Sequence, residues 1–451
     1  VTTFWYPTWL AYPAGLIRES RLVDAPAHGL SPETTVRIAG DFDFIVIFTS
    51  TPGFGNDLRF AQMLKEHRPA ARIAFVGPHV TVLPEESLNA SEAIDFVARR
   101  EFDYAIAEFA GGKRLEEIEG ISYRKNGRII HNPERPLVED LDSLPFVVEI
   151  FKRDLEYERY TIPFLRHPYV SFYTSRGCPA RCTFCLWPQT MSGHRWRTRS
   201  TGNVIDEVRR TVELFPLARE IFFDDDTFTW NKGRVLEICR KLKSLKVAWS
   251  CNSRVNTDLE TIRLMKEAGC RLLVVGFESG DPHVLKNIKK GATVEQSLAF
   301  MKDCRKAGME VHGDFQIGHP GESPETIEKT IRFAMQLDPN TIQVSVSHPY
   351  PGTEFFNYLQ DNGYIVSNVM TDSGGYQLPN IKYPGLTPEE IVRSVADFYG
   401  RFYFRPRIIL RIVKKALFIR NERKRLYNEA REFFKFRARN REYLKTLKLK
   451  N

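Results

Sequence analysis

The 451-residue sequence lacks long hydrophobic runs. Its longest apolar runs, such as Phe44–Phe48 and Leu272–Phe277, fall far short of the roughly 20 residues that a membrane-spanning helix needs. Glycine (28) and proline (26) stand at their usual background level, which excludes collagen-like and low-complexity proteins. The first residues, Val1–Tyr6, show neither a basic segment nor a cleavage-site pattern, so we expect a cytoplasmic rather than a secreted protein.

Basic residues are in slight deficit over most of the chain and are concentrated at its end. Residues 401–451 contain 18 Lys and Arg against 4 Asp and Glu, a balance of +14. The other 400 residues contain 47 basic and 52 acidic groups, a balance of −5. A mildly acidic body with a basic tail is not typical of proteins that wrap nucleic acid, so no nucleic-acid partner is expected.

The cysteines do not suggest a disulfide framework, because their number, seven, is odd and one thiol would remain unpaired. In a reduced protein, clustered cysteines are more often metal ligands or catalysts than disulfide partners. Three of the seven form such a cluster, Cys178, Cys182 and Cys185. The other four lie in apolar contexts typical of a protein core, namely Cys239, Cys251, Cys270 and Cys304.

Residues 1–147 predict a Rossmann-like α/β domain. Apolar runs that end in turns are typical of buried parallel strands, and here they alternate with helical patterns as in a doubly wound sheet. The expected segments are a helix at Ala11–Leu16, strands at Arg21–Asp24, Phe42–Phe48, Arg72–Val76 and Ile94–Val97, and the closing segment Tyr104–Glu108. The strand that normally precedes the first helix of this fold is missing from the sequence.

Residues 148–167 predict an irregular linker, residues 168–384 a second α/β domain, and residues 385–451 a basic helical extension. In the second domain six strands alternate with helical patterns, at Tyr169–Thr174, Glu220–Phe223, Val247–Cys251, Arg271–Phe277, Glu310–Ile317 and Thr341–Ser347. Right-handed βα units in series predict a parallel sheet curled into a partial (β/α)6 barrel. Ligands of such barrels bind at the carboxyl ends of the strands.

The cysteine triplet follows the first of these barrel strands, and its spacing lets three thiolates converge on one centre. Three protein ligands would leave one iron of a four-iron cluster open for a substrate. Structural zinc normally takes four protein ligands in paired C-x-x-C form, and no second pair is present. Arg176 and Arg181 flank the triplet and would offset its negative charge. An iron–sulfur electron carrier is an alternative, although carriers usually have a protein ligand on every iron.

The pattern C-x-x-x-C-x-φ-C, with Phe184 in the aromatic position, resembles the signature of the radical S-adenosylmethionine (SAM) superfamily. The resemblance implies that Cys178, Cys182 and Cys185 hold a [4Fe-4S] cluster whose open iron binds SAM, with Phe184 beside the SAM. In that family the reduced cluster cleaves SAM to a 5′-deoxyadenosyl radical, which abstracts hydrogen from an unactivated carbon. It also implies an external one-electron donor, flavodoxin-like or ferredoxin-like.

The second barrel strand ends in three consecutive carboxylates, Asp224–Asp226, which are costly to bury unless they are solvated or used. They resemble the D-D-x-F segment of cobalamin-type radical SAM enzymes. Asp225 and Asp226 are therefore candidate catalytic residues, and Asp225 is also expected to contact SAM. A solvated acidic turn is the alternative. By the same resemblance Arg254 and Glu278, which follow the third and fourth strands, are expected to bind SAM.

The fifth barrel strand runs into a glycine-rich segment, Gly313–Ser323, which resembles the family motif that approaches the adenine of SAM. Gln316 is accordingly an expected SAM contact. His319 stands where the family more often has a small apolar residue, and it is our third catalytic candidate. A core or loop histidine without a catalytic role is the alternative for His319.

The N-terminal domain contains Gly77, Pro78 and His79 after a strand, which is similar to the G-G-P-H-A-T segment of B12-binding domains that precede radical SAM barrels. The lower-ligand motif D-x-H-x-x-G is absent, because Asp24 and His28 have the wrong spacing. The resemblance therefore implies either cobalamin bound without such a histidine ligand, or a domain that only packs and binds substrate.

Over nearly the whole chain the sequence resembles the hopanoid-biosynthesis-associated radical SAM proteins of the B12-binding type, on stretches such as His167–Tyr173, Cys185–Thr190 and Arg401–Pro406. The resemblance implies an amphiphilic lipid substrate, a hopanoid whose glucosaminyl side chain is rearranged to a cyclitol ether. B12-dependent methyl transfer to another lipid or small molecule is the alternative.

The basic extension combines charge with apolar residues at helical spacing, among them Ile408, Ile409, Ile412, Val413, Ala416 and Leu417, and later Phe433, Phe434 and Phe436. A basic amphipathic helix can rest on an anionic membrane, where a lipid substrate would be found. The extension therefore predicts a peripheral contact with the inner membrane surface. A helix that packs on the barrel with a solvated basic face is the alternative.

Overall fold

The computed structural model describes residues 4–372 and 377–418, together with a few positions between 423 and 438. The strands of its N-terminal sheet are β1 (Phe44–Phe48), β2 (Arg72–Val76), β3 (Phe96–Ala98), β4 (Ile121–Lys125) and β5 (Arg128–His131). They pair in this order, β1 to β3 in parallel and β4 and β5 antiparallel. The accompanying helices are α1 (Thr8–Leu16), α2 (Ala25–His28), α3 (Pro32–Ala39), α4 (Phe54–His67), α5 (Pro78–Val82), α6 (Pro84–Ala90) and α7 (Asp103–Ala110).

The second sheet has six parallel strands in the order of the chain, as the sequence predicts for a partial barrel. They are β6 (Tyr169–Phe172), β9 (Glu220–Phe223), β10 (Trp249–Ser253), β11 (Cys270–Glu278), β12 (Glu310–Ile317) and β13 (Thr341–Val346), and a short antiparallel pair, β7 (Ser175–Arg176) and β8 (Arg197–Thr198), follows β6. The helices are α8 (Val147–Asp154), α9 (Thr201–Leu214), α10 (Lys232–Leu242), α11 (Leu259–Glu267), α12 (Pro282–Asn287), α13 (Val294–Lys306), α14 (Pro324–Leu337), α15 (Glu354–Asp361), α16 (Pro388–Tyr403) and α17 (Pro406–Phe418).

Local sequence signals explain where the barrel elements begin and what they bury. Each helix from α9 to α15 follows a Ser, Thr, Asn or Asp whose side chain accepts a hydrogen bond from an amide of the first turn. The run Leu272–Val275 of β11 is entirely buried, as expected for a parallel strand covered on both faces. The predicted fold class, a Rossmann-like domain followed by a partial barrel, is confirmed.

Residues 4–43 contain no strand, so the strand expected at Arg21–Asp24 is wrong. Leu22 instead packs into the core of the barrel, and its amide donates to a carboxylate oxygen of Asp154 in α8 at 2.8 Å. Burial against α8 therefore takes the place of strand pairing. The presence of α8 also corrects the expectation of a fully irregular linker, and Tyr104–Glu108 lies in α7.

Four buried charged side chains join the two domains. Arg176, in β7, donates two hydrogen bonds to Asp103 of α7 at 2.8 and 2.9 Å. Arg197, in β8, donates to the two carboxylate oxygens of Glu101 at 2.7 and 2.8 Å. Because β7 leads directly into the segment Gly177–Cys185, hereafter the cysteine loop, this interdomain ion network links the N-terminal domain to the candidate cluster site.

Aromatic residues of α1 enclose the same arginine. The guanidinium carbon of Arg176 lies 4.6 Å from the ring centroids of both Trp9 and Tyr12. Such cation–π contacts add to the ion pair where the cation is desolvated. Tyr12 is part of the barrel's hydrophobic core, so α1 packs with the barrel although it precedes the N-terminal sheet in the chain.

The edge strand β13 is covered by a helix instead of another strand. The hydroxyl oxygens of Tyr399 and Tyr403, both in α16, accept hydrogen bonds from the amides of Val344 and Ile342 at 2.9 and 3.0 Å. An uncovered edge would offer unpaired amides to another chain. The first helix of the C-terminal extension therefore completes the barrel.

Helix α17 divides its apolar residues between the barrel and the surface. Ile408 is buried, while Ile409, Leu410, Val413 and Leu417 are exposed. Arg405 and Arg411 hold the helix to Asp338 with distances of 3.0 and 2.9 Å. Most of the later part of the predicted extension, including Phe433 and Phe436, lies outside the described residues, while Phe434 is exposed. No helix among the described residues combines the length and apolarity needed to cross a bilayer.

Candidate active site

The exit from the first barrel strand is fixed by Asp225. Its carboxylate accepts hydrogen bonds from the amide and hydroxyl of Thr174 at 2.7 and 2.8 Å, and from the hydroxyl of Ser175 at 2.8 Å. The Ser175 amide also donates to it. Asp225 is fully buried, so both of its oxygens are occupied by the chain that leads to the cysteines. The expected contact between Asp225 and SAM does not fit this geometry, and Asp225 is a positioning residue.

The cysteine loop begins at a glycine that no other residue could replace without strain. Gly177 has a φ of +85°, and a Cβ atom on it would lie 2.3 Å from the carbonyl oxygen of Arg195. The next amide, that of Cys178, donates to the carbonyl of Gly193 at 3.3 Å. The segment just before β8 therefore packs directly against the backbone that presents the first cysteine.

Two polar side chains that the sequence analysis did not single out hold the rest of the loop. The Gln189 amide nitrogen lies within hydrogen-bond distance of the carbonyl oxygens of Cys182 and Cys185, at 3.3 and 2.8 Å. Nδ1 of His194 lies 3.1 Å from the carbonyl oxygen of Cys178. Their position within nine residues of the last cysteine is the one sequence feature that could have pointed to them. Their partners are backbone carbonyl groups, which a sequence pattern does not reveal.

The three loop cysteines carry free thiols, and they lie close enough to influence one another electrostatically. Burial, followed by the nearby Asp226 carboxylate, raises the pKa of the Cys185 thiol well above its usual range. Burial also raises the pKa of the Cys178 thiol. Within the described part of the chain, no three His, Cys, Asp or Glu side chains are placed to hold a single metal ion. Three thiolates on one loop would each ligate one iron of a four-iron cluster and leave the fourth iron without a protein ligand.

Asp226 is the carboxylate of the acidic triplet that faces this site. It accepts a hydrogen bond from the Gly177 amide and one from the Ser192 hydroxyl at 3.3 Å. Surrounding protein atoms, and then the neighbouring Asp225 charge, raise the pKa of its carboxyl to about 6. The residue nevertheless remains exposed, so it lies in a recess that is enclosed by protein yet open to solvent.

A buried ion pair also lies near the cysteines. Glu278 ends β11 with a φ of +61°, and its carboxylate accepts from the Lys290 ammonium at 2.8 Å. Gly276 makes room for the pair, since a Cβ atom there would lie 2.3 Å from a Glu278 oxygen. Burial lowers the pKa of Lys290, but the charges of Glu278 and then of Cys182 outweigh it and raise the pKa, which places this lysine beside the loop. Arg254 donates to the Lys290 carbonyl at 2.6 Å, so two expected SAM contacts meet here.

The motif after β12 brings three further expected residues together. The ring of His319 is fully buried, 5.1 Å from the ring of Phe184. Its Nδ1 lies 3.2 Å from the Ser347 hydroxyl, which also reaches Gln316 at 3.4 Å, while its Nε2 has no partner among the described residues. Burial, and then the charge of Lys290, lowers the pKa of His319 to about 3. The imidazole is therefore neutral, and its Nε2 is buried without a hydrogen-bond partner among the described residues.

In the N-terminal domain the expected cobalamin loop starts at another constrained glycine. Gly77 has a φ of +112°, and a Cβ atom on it would lie 2.4 Å from the Thr49 carbonyl oxygen. Pro78 begins α5, and the ring of His79 packs 4.3 Å from that of Phe54. Burial lowers the pKa of His79 to about 4, and its Nε2 has no partner among the described residues.

This loop reaches the barrel at its active end. The Thr81 hydroxyl lies 3.6 Å from the sulfur of Met191, which follows the cysteine loop. On the other side, a Cβ atom on Gly352 would lie 2.4 Å from Val82 and 3.1 Å from Thr190. Helix α5 is therefore packed between the segment after the cysteines and the segment after β13.

Removal of one loop cysteine should abolish cluster assembly. Cys178→Ala, Cys182→Ala and Cys185→Ala each take away one of three iron ligands, and we expect iron and sulfide content after anaerobic reconstitution to fall to background. Cys304→Ala, which removes a buried core thiol, is the matched control and should retain full iron. Full iron in Cys182→Ala would show that the triplet is not the ligand set.

Glu322 predicts a pH dependence of stability. Its buried carboxylate accepts from the amides of Gly318 and His319, and burial raises the pKa of its carboxyl to about 7. The folded protein holds this proton while the unfolded chain loses it near pH 4.5, so stability falls as the pH rises towards 7. Between pH 5 and 7 the loss from this group is up to about 2 kcal/mol.

The variant Glu322→Gln keeps an acceptor for both amides and cannot ionise. Urea unfolding at pH 5 and pH 7 should therefore show a smaller loss of stability in this variant than in the wild type. The exposed Glu325→Gln should behave as the wild type. Equal pH dependence in all three proteins would refute the raised pKa.

Two family models match the chain. The model of the radical SAM superfamily matches residues 172–334, and that of the B12 binding domain matches residues 1–110. The first match includes the cysteine loop, the acidic triplet and the motif after β12. The second includes the constrained loop at Gly77. The matches confirm the expected SAM and [4Fe-4S] cofactors, and they identify the N-terminal domain as a B12-binding domain.

The chain is also similar to characterised and uncharacterised proteins over most of its length. It is 32% identical over 432 residues to an uncharacterized methyltransferase of Pyrococcus horikoshii, covering 91% of this chain and 92% of that protein. It is 25% identical over 424 residues to the anaerobic magnesium-protoporphyrin IX monomethyl ester cyclase of Rubrivivax gelatinosus, covering 88% and 74%.

A solved structure shows the same fold. The radical SAM methyltransferase TsrM from Kitasatospora setae, determined with cobalamin and a [4Fe-4S] cluster bound, matches with a TM-score of 0.68 at 16% sequence identity, covering 88% of each chain. Together with the two family matches and the full-length relative, this fold similarity leads to one conclusion. The chain belongs to the radical SAM superfamily, in the group that carries an N-terminal B12-binding domain.

Proposed function

We propose that this protein is a cobalamin-dependent radical SAM methyltransferase that acts on a small molecule or a lipid. The observation that carries the proposal is the 32% identity, over 91% of this chain and 92% of the relative, to the uncharacterized methyltransferase of Pyrococcus horikoshii. The cyclase among its relatives shows that this architecture also serves other reactions. We therefore propose methyl transfer instead of the sugar rearrangement, because the Pyrococcus horikoshii relative has the higher identity and coverage of the two.

The packing of the two domains supports the proposal. The expected cobalamin loop contacts Met191 and Gly352, which border the cysteine loop and the last barrel strand. A group carried by one domain can therefore meet a group carried by the other without a large movement. When bound, the cluster and SAM would supply a radical source and cobalamin a methyl carrier. An architecture that only passed electrons would not need the two sites to converge.

The chain's own residues would orient the SAM between these sites. Asp226, a carboxylate in an open recess beside Cys178, can accept hydrogen bonds from an ammonium group such as that of SAM. The guanidinium of Arg254, whose charge also acts on Cys178, can pair with a carboxylate. Phe184 packs against the neutral ring of His319, which supports its aromatic face without adding charge.

The hopanoid rearrangement stays a prediction, because none of the relatives described above acts on a hopanoid by name. The membrane contact of the tail likewise stays a prediction. The exposed residues Ile409, Val413 and Leu417 of α17 are compatible with it, but the basic segment that follows lies outside the described residues.

Products formed from SAM alone distinguish the reaction classes. The protein is reconstituted anaerobically with iron, sulfide and hydroxocobalamin, then given dithionite and SAM labelled in its methyl group. We expect cluster-dependent 5′-deoxyadenosine and, only when cobalamin is present, S-adenosylhomocysteine. Deoxyadenosine without S-adenosylhomocysteine would favour a rearrangement over methyl transfer. Absence of both products with iron fully loaded would favour an electron carrier.

A matched pair of glycine variants tests the cobalamin loop itself. Gly77→Ala forces a Cβ atom against the Thr49 carbonyl and should lower bound cobalamin and S-adenosylhomocysteine together. Gly55→Ala, in the first turn of α4, meets no atom within 4 Å and should leave both unchanged. Wild-type cobalamin content in Gly77→Ala would contradict the assignment of the loop.

A further inference from the structure

We propose that helix α17 docks on the surface of an anionic membrane through a row of aliphatic side chains that the barrel leaves uncovered. This row, hereafter the outer stripe, consists of Ile409, Leu410, Val413 and Leu417. The inference goes beyond the proposed function, because it concerns where the protein is held and not which group it transfers.

The inner face of α17 is fixed by its contacts with the barrel. Ile408 is buried, and Ile412 packs against the hydrophobic core of the barrel. Arg411, on the same side, donates to the carbonyl oxygen of Pro339 at 3.0 Å. Because residues three and four positions apart lie on one side of a helix, these contacts determine which side of α17 the barrel covers.

The outer stripe lies on the opposite side of the helix. Steps of three or four positions connect its members, which are 44%, 55%, 44% and 61% exposed in chain order. A single exposed aliphatic residue is common on a protein surface, whereas four on one helix face form a continuous apolar patch. Helix α17 therefore has one apolar side towards the barrel and a second towards solvent.

The charges beside the outer stripe are positive. The helix, Pro406–Phe418, contains four Lys and Arg residues and no Asp or Glu. Lys414 is exposed, and the side chain of Arg407 is 74% exposed although it reaches Asp338 at 3.4 Å. Since the first 400 residues carry a balance of −5, the sign of the charge reverses near this helix. An apolar stripe bordered by cations is typical of helices that lie on anionic lipids.

The size and charge of the outer stripe suit a lipid surface better than a second copy of this chain. Four aliphatic side chains that are each about half exposed offer well below the roughly 800 Å² that each partner buries in a protein interface of standard size. Two copies paired through the stripe would also bring their cations together, with no carboxylate on either helix to neutralise them. A bilayer needs no matching groove, and its anionic head groups supply the opposite charge.

The position of α17 determines which end of the barrel the membrane meets. Asp338, which pairs with Arg405 and Arg411, lies just before β13 and therefore at the amino end of the barrel strands. The cysteine loop follows β6 and lies at the carboxyl end of the strands. Docking through the outer stripe therefore anchors the protein by the end of the barrel away from the cofactor site, and it leaves the cysteine loop clear of the bilayer.

The test measures co-sedimentation of the reconstituted full-length protein with lipid vesicles. The vesicles contain either phosphatidylcholine alone or equal parts of phosphatidylcholine and phosphatidylglycerol. We expect binding to the anionic vesicles that weakens as the ionic strength rises, because the attraction between charges is screened, and little binding to the neutral vesicles. Absence of binding to the anionic vesicles, or equal binding to both kinds, would overturn the proposal.

The variant V413Q/L417Q replaces two aliphatic members of the outer stripe by amides without changing the net charge. We expect its partition coefficient on the anionic vesicles to fall at least about tenfold, because two apolar side chains are lost from the lipid contact. Its iron content and its yield of 5′-deoxyadenosine should equal those of the wild type, since the stripe lies away from the cofactor site. Wild-type binding in this variant would show that the membrane contact lies elsewhere and would overturn the proposal.

The matched control changes a valine and a leucine of similar exposure elsewhere on the barrel. Val212, in α9, and Leu217, just after it, are 47% and 68% exposed. V212Q/L217Q should bind the anionic vesicles as the wild type does. Equal loss of binding in the two variants would show an effect of surface hydrophobicity in general and would overturn the proposal.

The oligomeric state distinguishes a second copy of the chain from a membrane as the occupant of the stripe. Light scattering without vesicles should give the same molecular mass for the wild type and for V413Q/L417Q. A wild-type dimer that dissociates in the variant would assign the outer stripe to a partner copy and would overturn the proposal.

Discussion

The active site depends on four charges buried between the two domains. Arg176 and Arg197 come from the strands that flank the cysteine loop, and Asp103 and Glu101 come from the N-terminal domain. Burying four charges is costly, and it is tolerated only because every charge has a partner with good hydrogen-bond geometry. Removal of one partner would leave an uncompensated charge in the interior, which typically costs about 3–5 kcal/mol. The two domains are therefore held in one relative position.

That position fixes the cysteine loop from its first residue onward. Arg176 precedes Gly177, whose backbone fits against Arg195, and Asp225 holds the two residues before Arg176. Gln189 then fixes the carbonyl groups at the other end of the loop. A cluster site needs ligands held in place by their own hydrogen-bond partners. In this protein those partners come from the barrel, and the N-terminal domain holds the strand that starts the loop.

Much of this arrangement could be predicted from the sequence, and the failures have physical causes. The cysteine spacing, the apolar run of β11 and the glycine-rich segments are local patterns, and each predicts its own local structure whatever the rest of the chain does. The different roles of Asp225 and Asp226 could not be predicted from the sequence, because the two carboxylates are adjacent and chemically identical. The folded backbone directs Asp225 inward and Asp226 to the recess. The prediction of a strand at Arg21–Asp24 was wrong for a related reason, because this segment packs against helix α8 instead of pairing in a sheet.

Residues that act on backbone atoms were missed altogether. Gln189 and His194 bind carbonyl groups of the cysteine loop, and main-chain acceptors leave no trace in a sequence. Lys290 escaped notice because its partner Glu278 lies on a different element. Glu101 and Asp103 likewise have partners far along the chain, and only the structure shows that arginines of the barrel domain bind them.

Amide hydrogen exchange in Asp103→Asn measures the claim that the interdomain ion network holds the cysteine loop. Asp103 lies in the N-terminal domain, more than 70 residues before the loop in the chain. If the account is correct, exchange of the amides of Gly177–Cys185 in the metal-free variant will be faster than in the metal-free wild type, and iron uptake will be slower. If faster exchange is confined to α7 and the loop amides exchange as in the wild type, the network does not position the loop and the account is contradicted.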